Sequence, residues 1–164
     1  MECVFLTDNA VHCYEIHDNT LSFSGSISDC SSRGAHLVTV SSQTEYDIVY
    51  SLMQQSKTQC IDIYLKHIFL IVLFSALIDE VHIDLTDEGH ATHDYHFTNA
   101  NETDTPFFHW ADGQPNGVSQ HCVFVDTGVN TGYNPGMHDI ACSGLEYSRV
   151  CEYESESRHS SFTY

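Results

Sequence analysis

The chain has 164 residues, of which 41% are hydrophobic and 12% aromatic, which is enough apolar material for one core and argues against a disordered chain. Five Lys and Arg residues against 23 Asp and Glu residues give a formal net charge of −18. A surface this acidic repels phosphate backbones, so the composition argues against nucleic acid as a partner and favours cations, Ca²⁺ above all.

Seven cysteines in a chain of this size are typical of an oxidising compartment, where disulfides staple a loop-rich domain. No Cys-x-x-Cys pair occurs, which disfavours a thiolate zinc site and a thioredoxin-type redox site. The odd count leaves one thiol over. Met1-Glu2-Cys3 shows neither the charged nor the apolar region of a signal peptide. Because of the cysteines we still expect a secreted, extracellular protein, with a sequence start that is incomplete or processed.

The first predicted elements are a strand and a helix. Cys13–Ile16 has the pattern of a short strand. Ser22 can cap a helix whose apolar positions recur at i, i+4 and i+7 from Phe23, and Gly34 is placed to end that helix.

A second strand and a second helix are predicted to follow. His36–Val40 is expected to be a strand. Ser42-Gln43-Thr44-Glu45 is a capping box, in which a serine and a glutamate reciprocally satisfy the first amide donors of a helix. The helix carries one apolar face at Tyr46, Val49 and Met53.

The second half of the chain begins with Val81–Leu85, where apolar and polar residues alternate as in a half-buried strand. From Thr86 to about His121 the sequence is polar and rich in turn residues, and a loop region of that length is usually functional. Cys122–Val125 and Arg149–Tyr153 are predicted to be closing strands. The Ser- and Glu-rich tail at 154–164 is expected to fray.

A series of short motifs stands in a characteristic order along the chain, namely Cys13-Tyr14, Cys30, Gly34–Val40, Glu45, Trp110–Asn116, Cys122-Val123, Asp139–Cys142 and Val150–Glu152. Together they resemble the motifs of the long-form C-type lectin-like domain family. The resemblance implies an α+β fold in which two helices flank antiparallel strands, with adjacent termini and a long loop region at one end. We expect one such domain over 1–153, followed by the tail at 154–164.

The resemblance also implies three disulfides, namely Cys3–Cys13, Cys30–Cys151 and Cys122–Cys142. The sequence by itself leaves the connectivity open. In the chain-entropy model, a bridge that closes a loop as long as that from Cys30 to Cys151 stabilises the fold by about 4–5 kcal/mol.

In sugar-binding members of the family, side-chain oxygens in the long loop region hold a Ca²⁺ ion that coordinates two vicinal hydroxyls of a monosaccharide. Ca²⁺ takes roughly 6–8 oxygen ligands, so sugar hydroxyls can replace waters on the ion. Carried over residue by residue, the resemblance implies a carbohydrate site formed by Gln114, Asn116, Gln120, His138 and Asp139. All of these except the histidine would also be metal ligands.

The Gln-Pro-Asn tripeptide at this site is mixed, because Gln114 resembles galactose-preferring members and Asn116 resembles mannose-preferring ones. Pro115 is expected to be the cis proline of the motif. Only Asp139 is charged among the aligned ligands, and Gln120 stands where a glutamate is usual. Any Ca²⁺ affinity is therefore expected in the weak class of roughly 10⁻⁴–10⁻³ M. The alternative is that the tripeptide is only a turn retained with the fold.

Other candidate residues are interpreted as structural or solvated. Trp110 could stack on a sugar, but a core position beneath the loops is favoured. His90, His93 and His96 could bind Zn²⁺ or Cu²⁺ if a helical turn aligned them, but a solvated polar loop is favoured. Asn101-Glu102-Thr103 is an N-glycosylation sequon. No catalytic motif is evident, so an enzyme is the least favoured class.

The stretch between Met53 and Val81 departs from the family pattern, in which a short connection is usual. It contains an apolar run at 68–78, which is too short for a membrane-spanning helix of about 20 apolar residues. This stretch could add a strand or a partner-binding face. We favour an insertion at about 57–80 that is foreign to the mature protein, such as translated non-coding sequence. Cys60 lies within it and is expected to be a free thiol or to join two chains as a dimer.

A further departure is His82-Ile83-Asp84-Leu85, where the family commonly has Trp-Ile-Gly-Leu. Losing the tryptophan and gaining an acid near the core predicts a domain less stable than typical members.

Two functions follow from the sequence. The first is an extracellular module that binds carbohydrate or glycoprotein with weak dependence on Ca²⁺. The second is a lectin-like domain that binds protein or mineral without Ca²⁺-dependent sugar recognition, which the reduced ligand set and the acidic surface favour.

Overall fold

The computed structural model describes residues 2–5, 11–55, 78–99 and 105–155. Within these ranges the elements are β1 (Glu2–Phe5), β2 (Val11–Leu21), α1 (Phe23–Ser32), β3 (His36–Leu37), α2 (Gln43–Gln55), β4 (Glu80–Thr86), β5 (Cys122–Asp126), β6 (Gly136–Ile140) and β7 (Tyr147–Ser155). The strands form one sheet in the order β1-β2-β7-β4-β5-β6, with β3 paired to β7. Only β4 and β7 pair in parallel among these strands. The predicted α+β fold is confirmed.

Helix α1 begins and ends at the residues that its sequence indicates. The Ser22 hydroxyl accepts a hydrogen bond from the Gly25 amide at 3.2 Å. At the other end the Gly34 amide donates to the Ser31 carbonyl, and Gly34 has a φ of +76°, which glycine adopts without the cost of a Cβ.

Helix α2 begins with the predicted capping box in a slightly shifted form. The Glu45 amide donates to the Ser42 hydroxyl at 3.2 Å, as expected. The Glu45 carboxylate accepts from the amide of Ser41 at 2.8 Å, one residue earlier than the standard pattern, and from both serine hydroxyls. The buried face includes Tyr46 and Val49, as predicted. Among the described residues, no helix combines the length and the apolar character needed to cross a membrane.

Strand β4 is buried on both faces, whereas the alternating pattern predicted a half-buried strand. Its apolar residues lie in the core cluster that faces α2. On the opposite face His82 is only 1% exposed, because its ring packs edge-on against Phe23 at 5.8 Å and Tyr147 at 5.1 Å between ring centroids. The prediction of a solvated second face is wrong because the side chains of Phe23, on α1, and Tyr147 cover it.

Asp84, the acid that replaces a family glycine, connects β4 to the long loop region. Its carboxylate accepts hydrogen bonds from the Thr98 amide at 2.9 Å, the Asn99 amide at 2.9 Å and the Thr98 hydroxyl at 2.6 Å. Burial raises the pKa of Asp84, and these three bonds oppose that rise. Asp84 therefore holds residues 98–99 against β4 through these hydrogen bonds. The lower stability that we expect from an acid at this position remains a prediction.

All three expected disulfides are present, namely Cys3–Cys13, Cys30–Cys151 and Cys122–Cys142. The last two bridges lie in a second cluster of buried residues, which packs on the α1 side of the sheet. The seventh cysteine, Cys60, lies outside the described residues.

Several strand boundaries differ from the predicted ones. The strand predicted at Cys13–Ile16 extends over the whole of β2, because β2 pairs with β7 along most of its length. The strand predicted at His36–Val40 pairs only at β3, after which the Val38 amide donates to the carbonyl of Val150. Strand β6 had no prediction. Strand β7 continues to Ser155, and residues 156–164 lie outside the described part of the chain.

The ends of the proposed insertion lie close together. The Ile78 amide donates to the Met53 carbonyl at 3.3 Å. Ile78 is 5% exposed in the core, the Asp79 carbonyl accepts from the Thr127 amide at 2.9 Å, and residue 80 begins β4. Residues 78–80 therefore belong to the domain, and we place the end of the proposed insertion at residue 77. Residues 56–77 lie outside the described residues.

Deleting residues 56–77 is expected to leave the fold intact. Joining Gln55 to Ile78 through one or two glycines would leave only a short turn to close beside the existing Met53–Ile78 hydrogen bond. We expect the shortened chain to stay monomeric without reductant, to melt within a few degrees of the full chain and to keep its ligand binding. Thermal melting and intact-mass thiol counting test this.

The full chain with Cys60→Ser is the matched control for the deletion. The unaltered full chain is expected to aggregate or to form a reducible dimer, and this control separates the effect of the thiol from that of the segment. A deletion that melts markedly lower than the control would show that the segment is part of the core.

Candidate functional site

The loop that carries the Gln-Pro-Asn tripeptide is attached to strand β6. The Ala111 amide donates to the Met137 carbonyl at 3.0 Å, and the Met137 amide donates to the His109 carbonyl at 2.7 Å. The Gln114–Pro115 peptide bond that follows is cis, as predicted.

Asp139 lies at the centre of the candidate site. Its side chain projects from β6, and the residue is only 3% exposed. One carboxylate oxygen accepts from the Asn116 amide at 3.0 Å, and the other accepts from the Gly117 amide at 2.7 Å. Both oxygens of the only aligned carboxylate therefore hold the turn against the sheet.

Two glutamines, Gln114 and Gln120, lie on either side of Asn116 and Gly117 in this loop. Oε1 of Gln114 is buried and has no hydrogen-bond partner within the described part of the chain. The Gln120 side chain folds over Gly117, where a Cβ would lie 2.0 Å from Gln120 Oε1, so glycine at this position makes room for it. A buried carbonyl oxygen without a partner is an acceptor that a cation or a hydroxyl group would satisfy.

His138 is separated from the other predicted site residues. Successive side chains of a strand point to opposite faces, so His138 and Asp139 cannot share one. The His138 ring stacks on Phe124 at 5.2 Å between centroids, and its Nε2 lies 2.8 Å from the Asn134 carbonyl. The structure thus places Asp139 against the loop that carries Gln114, Asn116 and Gln120, and it places His138 in the core on the other face of β6.

The residues that remain fit a weakly held Ca²⁺ ion. They offer one carboxylate and three amide side chains, all of which present oxygen, the ligand atom that Ca²⁺ prefers. Because fewer carboxylates mean weaker binding and both Asp139 oxygens already accept amides, the donor set supports no more than weak affinity.

Trp110 packs against the core beneath the loops, the position that the sequence favoured. It contacts Tyr95 at 5.2 Å between ring centroids and stacks on Phe108 at 5.7 Å with an interplanar angle of 10°. Phe108 is 42% exposed and was not singled out from the sequence, because no motif marks it. An exposed aromatic face therefore lies on the outer side of the tryptophan.

The three histidines of the long loop region are not aligned by a helical turn. The rings of His90 and His96 stack with centroids 3.9 Å apart, whereas His93 lies beside Tyr95 with centroids at 6.1 Å. His93 has a φ of +67°, which no α-helix contains. The sequon Asn101–Thr103 lies outside the described residues.

Comparisons with known proteins identify similar sequences and similar folds. No protein-family model matches the chain. The rat protein "C-type lectin domain family 4 member A" is 25% identical over 146 residues, which cover 86% of this chain and 49% of that protein. The chain thus spans about half the length of the curated relatives it matches.

Two solved structures illustrate the likeness in fold. The C-type lectin domain of murine dendritic cell inhibitory receptor 2, solved in complex with N-glycan, is 27% identical with a TM-score of 0.61, covering 88% of this chain and 91% of that one. Herring type II antifreeze protein is 18% identical with a TM-score of 0.62, covering 88% and 92%, and shows the fold alone.

The three disulfides and the cis proline agree with the resemblance that the sequence motifs indicate. So do the α+β topology and the similarity over most of the chain to lectin domains. The chain therefore has the C-type lectin-like fold and is similar in sequence to C-type lectin domains.

Proposed function

We propose that this domain binds carbohydrate, free or on a glycoprotein, at the turn formed by Gln114, Asn116, Gln120 and Asp139, with weak dependence on Ca²⁺. The observation that carries the proposal is the buried Oε1 of Gln114, which lacks a partner in the turn that Asp139 holds to β6. The murine receptor domain that is 27% identical was solved with an N-glycan.

The chemistry of the turn suits neutral, polyhydroxylated ligands. Each amide side chain offers a carbonyl acceptor and an NH₂ donor, so it can bond a sugar hydroxyl in either sense. A Ca²⁺ ion held by Asp139 and the amide oxygens would accept the lone pairs of two vicinal hydroxyls. With one carboxylate available, the ion would bind in the roughly 10⁻⁴–10⁻³ M class.

Adding a carboxylate is expected to strengthen the site. Gln120→Glu places a charged oxygen where the side chain already lies over the turn, and we expect Ca²⁺ to bind about tenfold more tightly. Asp139→Asn removes the only charge and weakens the hold on residues 116–117, so we expect binding of Ca²⁺ and sugar to be lost.

Isothermal titration with mannose and galactose panels, with and without millimolar Ca²⁺, measures both effects. Asp112→Asn is the matched control, because Asp112 is an exposed carboxylate in the same loop, and it is expected to bind as the unaltered chain does. Thermal melting verifies that each variant is folded. The proposal fails if no sugar gives heat in either condition, or if folded Asp139→Asn binds sugar unchanged.

A second candidate function is binding of protein or mineral without Ca²⁺-dependent sugar recognition. The single carboxylate of the site and the formal charge of −18 support it, because an acidic surface suits cationic proteins and calcium minerals. The herring antifreeze protein shares the fold. Sugar binding that Asp139→Ala abolishes would refute this second candidate.

We further propose an extracellular location for the domain. Its three disulfides join described residues on strands, on α1 and in the bend after β6, and such bridges persist in oxidising compartments.

A further inference from the structure

A group of metal-ligating side chains lies away from the proposed carbohydrate site, on the sheet region where β2, β3 and β7 meet. His12 of β2 is directly opposite Glu154 of β7, and His36 of β3 is directly opposite Glu152 of β7. Directly opposed residues of paired strands share a face, and so do residues two apart on one strand. The register therefore brings two imidazoles and two carboxylates to one face.

The ligand atoms of His12, Glu152 and Glu154 are within reach of a single ion, and the His36 ring lies beside them. His12 Nδ1 lies 2.7 Å from Glu152 Oε1, and His36 Nε2 lies 2.8 Å from Glu154 Oε1. His36 Nδ1 lies 3.9 Å from the other oxygen of Glu152. One ligand atom from each of His12, Glu152 and Glu154 lies within 4.8 Å of the other two.

We propose that His12, His36, Glu152 and Glu154 bind a divalent transition metal of the zinc class. Imidazole and carboxylate together suit Zn²⁺, whereas Ca²⁺ does not favour nitrogen. With bonds of about 2.0–2.1 Å, the ligand atoms of a tetrahedral Zn²⁺ site are about 3.3 Å apart. The two nitrogen–oxygen contacts would have to open by about 0.6 Å, and the His36–Glu154 pair would have to move toward His12 and Glu152, which side-chain rotation supplies.

The orientation of His36 and Glu152 matches that of supported metal ligands. His36 Nδ1 lies 3.0 Å from the Leu37 carbonyl, to which it can donate, so that Nε2 turns its lone pair toward Glu154. A lone pair and a carboxylate that face each other need a positive atom between them, either a proton or a metal ion. Glu152 Oε2 is held by the Thr39 amide at 3.2 Å and its hydroxyl at 3.3 Å. Such outer hydrogen bonds are typical of metal sites.

Burial and access both favour a bound cation. The Glu152 side chain is 1% exposed and that of His12 is 8% exposed, so both ligand groups lie inside the protein. The Glu154 side chain is 46% exposed, which leaves one side of the group open to solvent. A divalent ion that enters there would balance the two carboxylates and join the N-terminal part of the sheet to β7.

Isothermal titration calorimetry of the metal-stripped full chain with Zn²⁺ tests the proposal. The visible absorption spectrum of the Co²⁺-substituted chain reports the coordination geometry. His36→Gln combined with Glu154→Gln removes two ligands while sparing the more buried pair. His90→Gln combined with His96→Gln is the matched control, because these two histidines form a separate stacked pair in the long loop region.

We expect one Zn²⁺ per chain, binding at least about tenfold weaker in the His36/Glu154 variant and unchanged in the His90/His96 control. Zn²⁺ should also raise the melting temperature of the control but not of the His36/Glu154 variant, provided that variant folds. If it does not fold, His36→Gln alone takes its place. Absence of saturable Zn²⁺ binding up to millimolar concentration, or weakening in the control instead, overturns the proposal.

Discussion

Acidification from pH 7 to pH 4 is expected to remove about 3 kcal/mol of folding free energy through His82 alone. Burial lowers the pKa of His82 from 6.5 to about 4. The ring lies between Phe23 and Tyr147, its Nε2 lies 3.2 Å from the Leu21 carbonyl, and its Nδ1 is buried without a hydrogen-bond partner in the described chain. A second proton, on Nδ1, would therefore make an N–H donor that has no hydrogen-bond acceptor among the described residues.

The direction of the pH effect follows from the two pKa values. The unfolded chain takes up the proton near pH 6.5 and the folded chain only near pH 4, so the stability is lost as the pH falls between these values. His82→Phe keeps an aromatic ring beside its two neighbours and cannot titrate. Denaturant unfolding of both chains from pH 7 to pH 4 measures the difference, because the carboxylates contribute equally to each. Parallel pH profiles would show that His82 does not carry the effect.

Removal of the Cys30–Cys151 disulfide is expected to be the most destabilising loss of a bridge. This disulfide closes a loop with a sequence separation of 121, and the chain-entropy model gives a loss of about 5 kcal/mol when the bridge is removed. The separations of 20 for Cys122–Cys142 and 10 for Cys3–Cys13 give about 3 kcal/mol each. Both Cys30 and Cys151 are fully buried, which adds a cavity to the loss when they become alanine.

Double alanine variants of each bridge, unfolded in guanidinium chloride, give the order of the three effects. The variant without Cys3–Cys13 serves as the reference for a short loop near the chain start. A Cys30→Ala, Cys151→Ala variant that loses no more stability than this reference would contradict the account.

Local signals predicted the helices well because each helix start is encoded by neighbouring residues. Ser22 and the Ser42–Glu45 box both act within one turn of the chain. The burial of His82 and Asp84 could not be predicted in this way, because the alternation of apolar and polar residues shows only that the two faces of the strand differ in polarity. The structural elements that cover the second face come from distant segments. Strand β6 was missed because it is short and carries two polar side chains that the fold buries.

The candidate site was located through motifs, and its details depend on register. Gln114 and Asp139 were assigned by resemblance, and the structure brings their segments together through the Asn116 and Gly117 amides. His138 was assigned to the same site because His138 and Asp139 stand where the family has an Asn-Asp ligand pair, yet one step along a strand reverses the face. The proposed zinc ligands had no sequence signal at all, because strand pairing alone makes neighbours of residues as far apart as His12 and Glu152.

The central claim, a calcium-assisted carbohydrate site, is tested most directly by a crystal structure of the chain soaked with millimolar Ca²⁺ and mannose or galactose. The account predicts an ion roughly 2.3–2.6 Å from an Asp139 carboxylate oxygen and from Gln114 Oε1, with sugar hydroxyls completing its coordination. Density for neither ion nor sugar between Gln114, Asn116 and Asp139, in crystals where this turn is open to solvent, would contradict it.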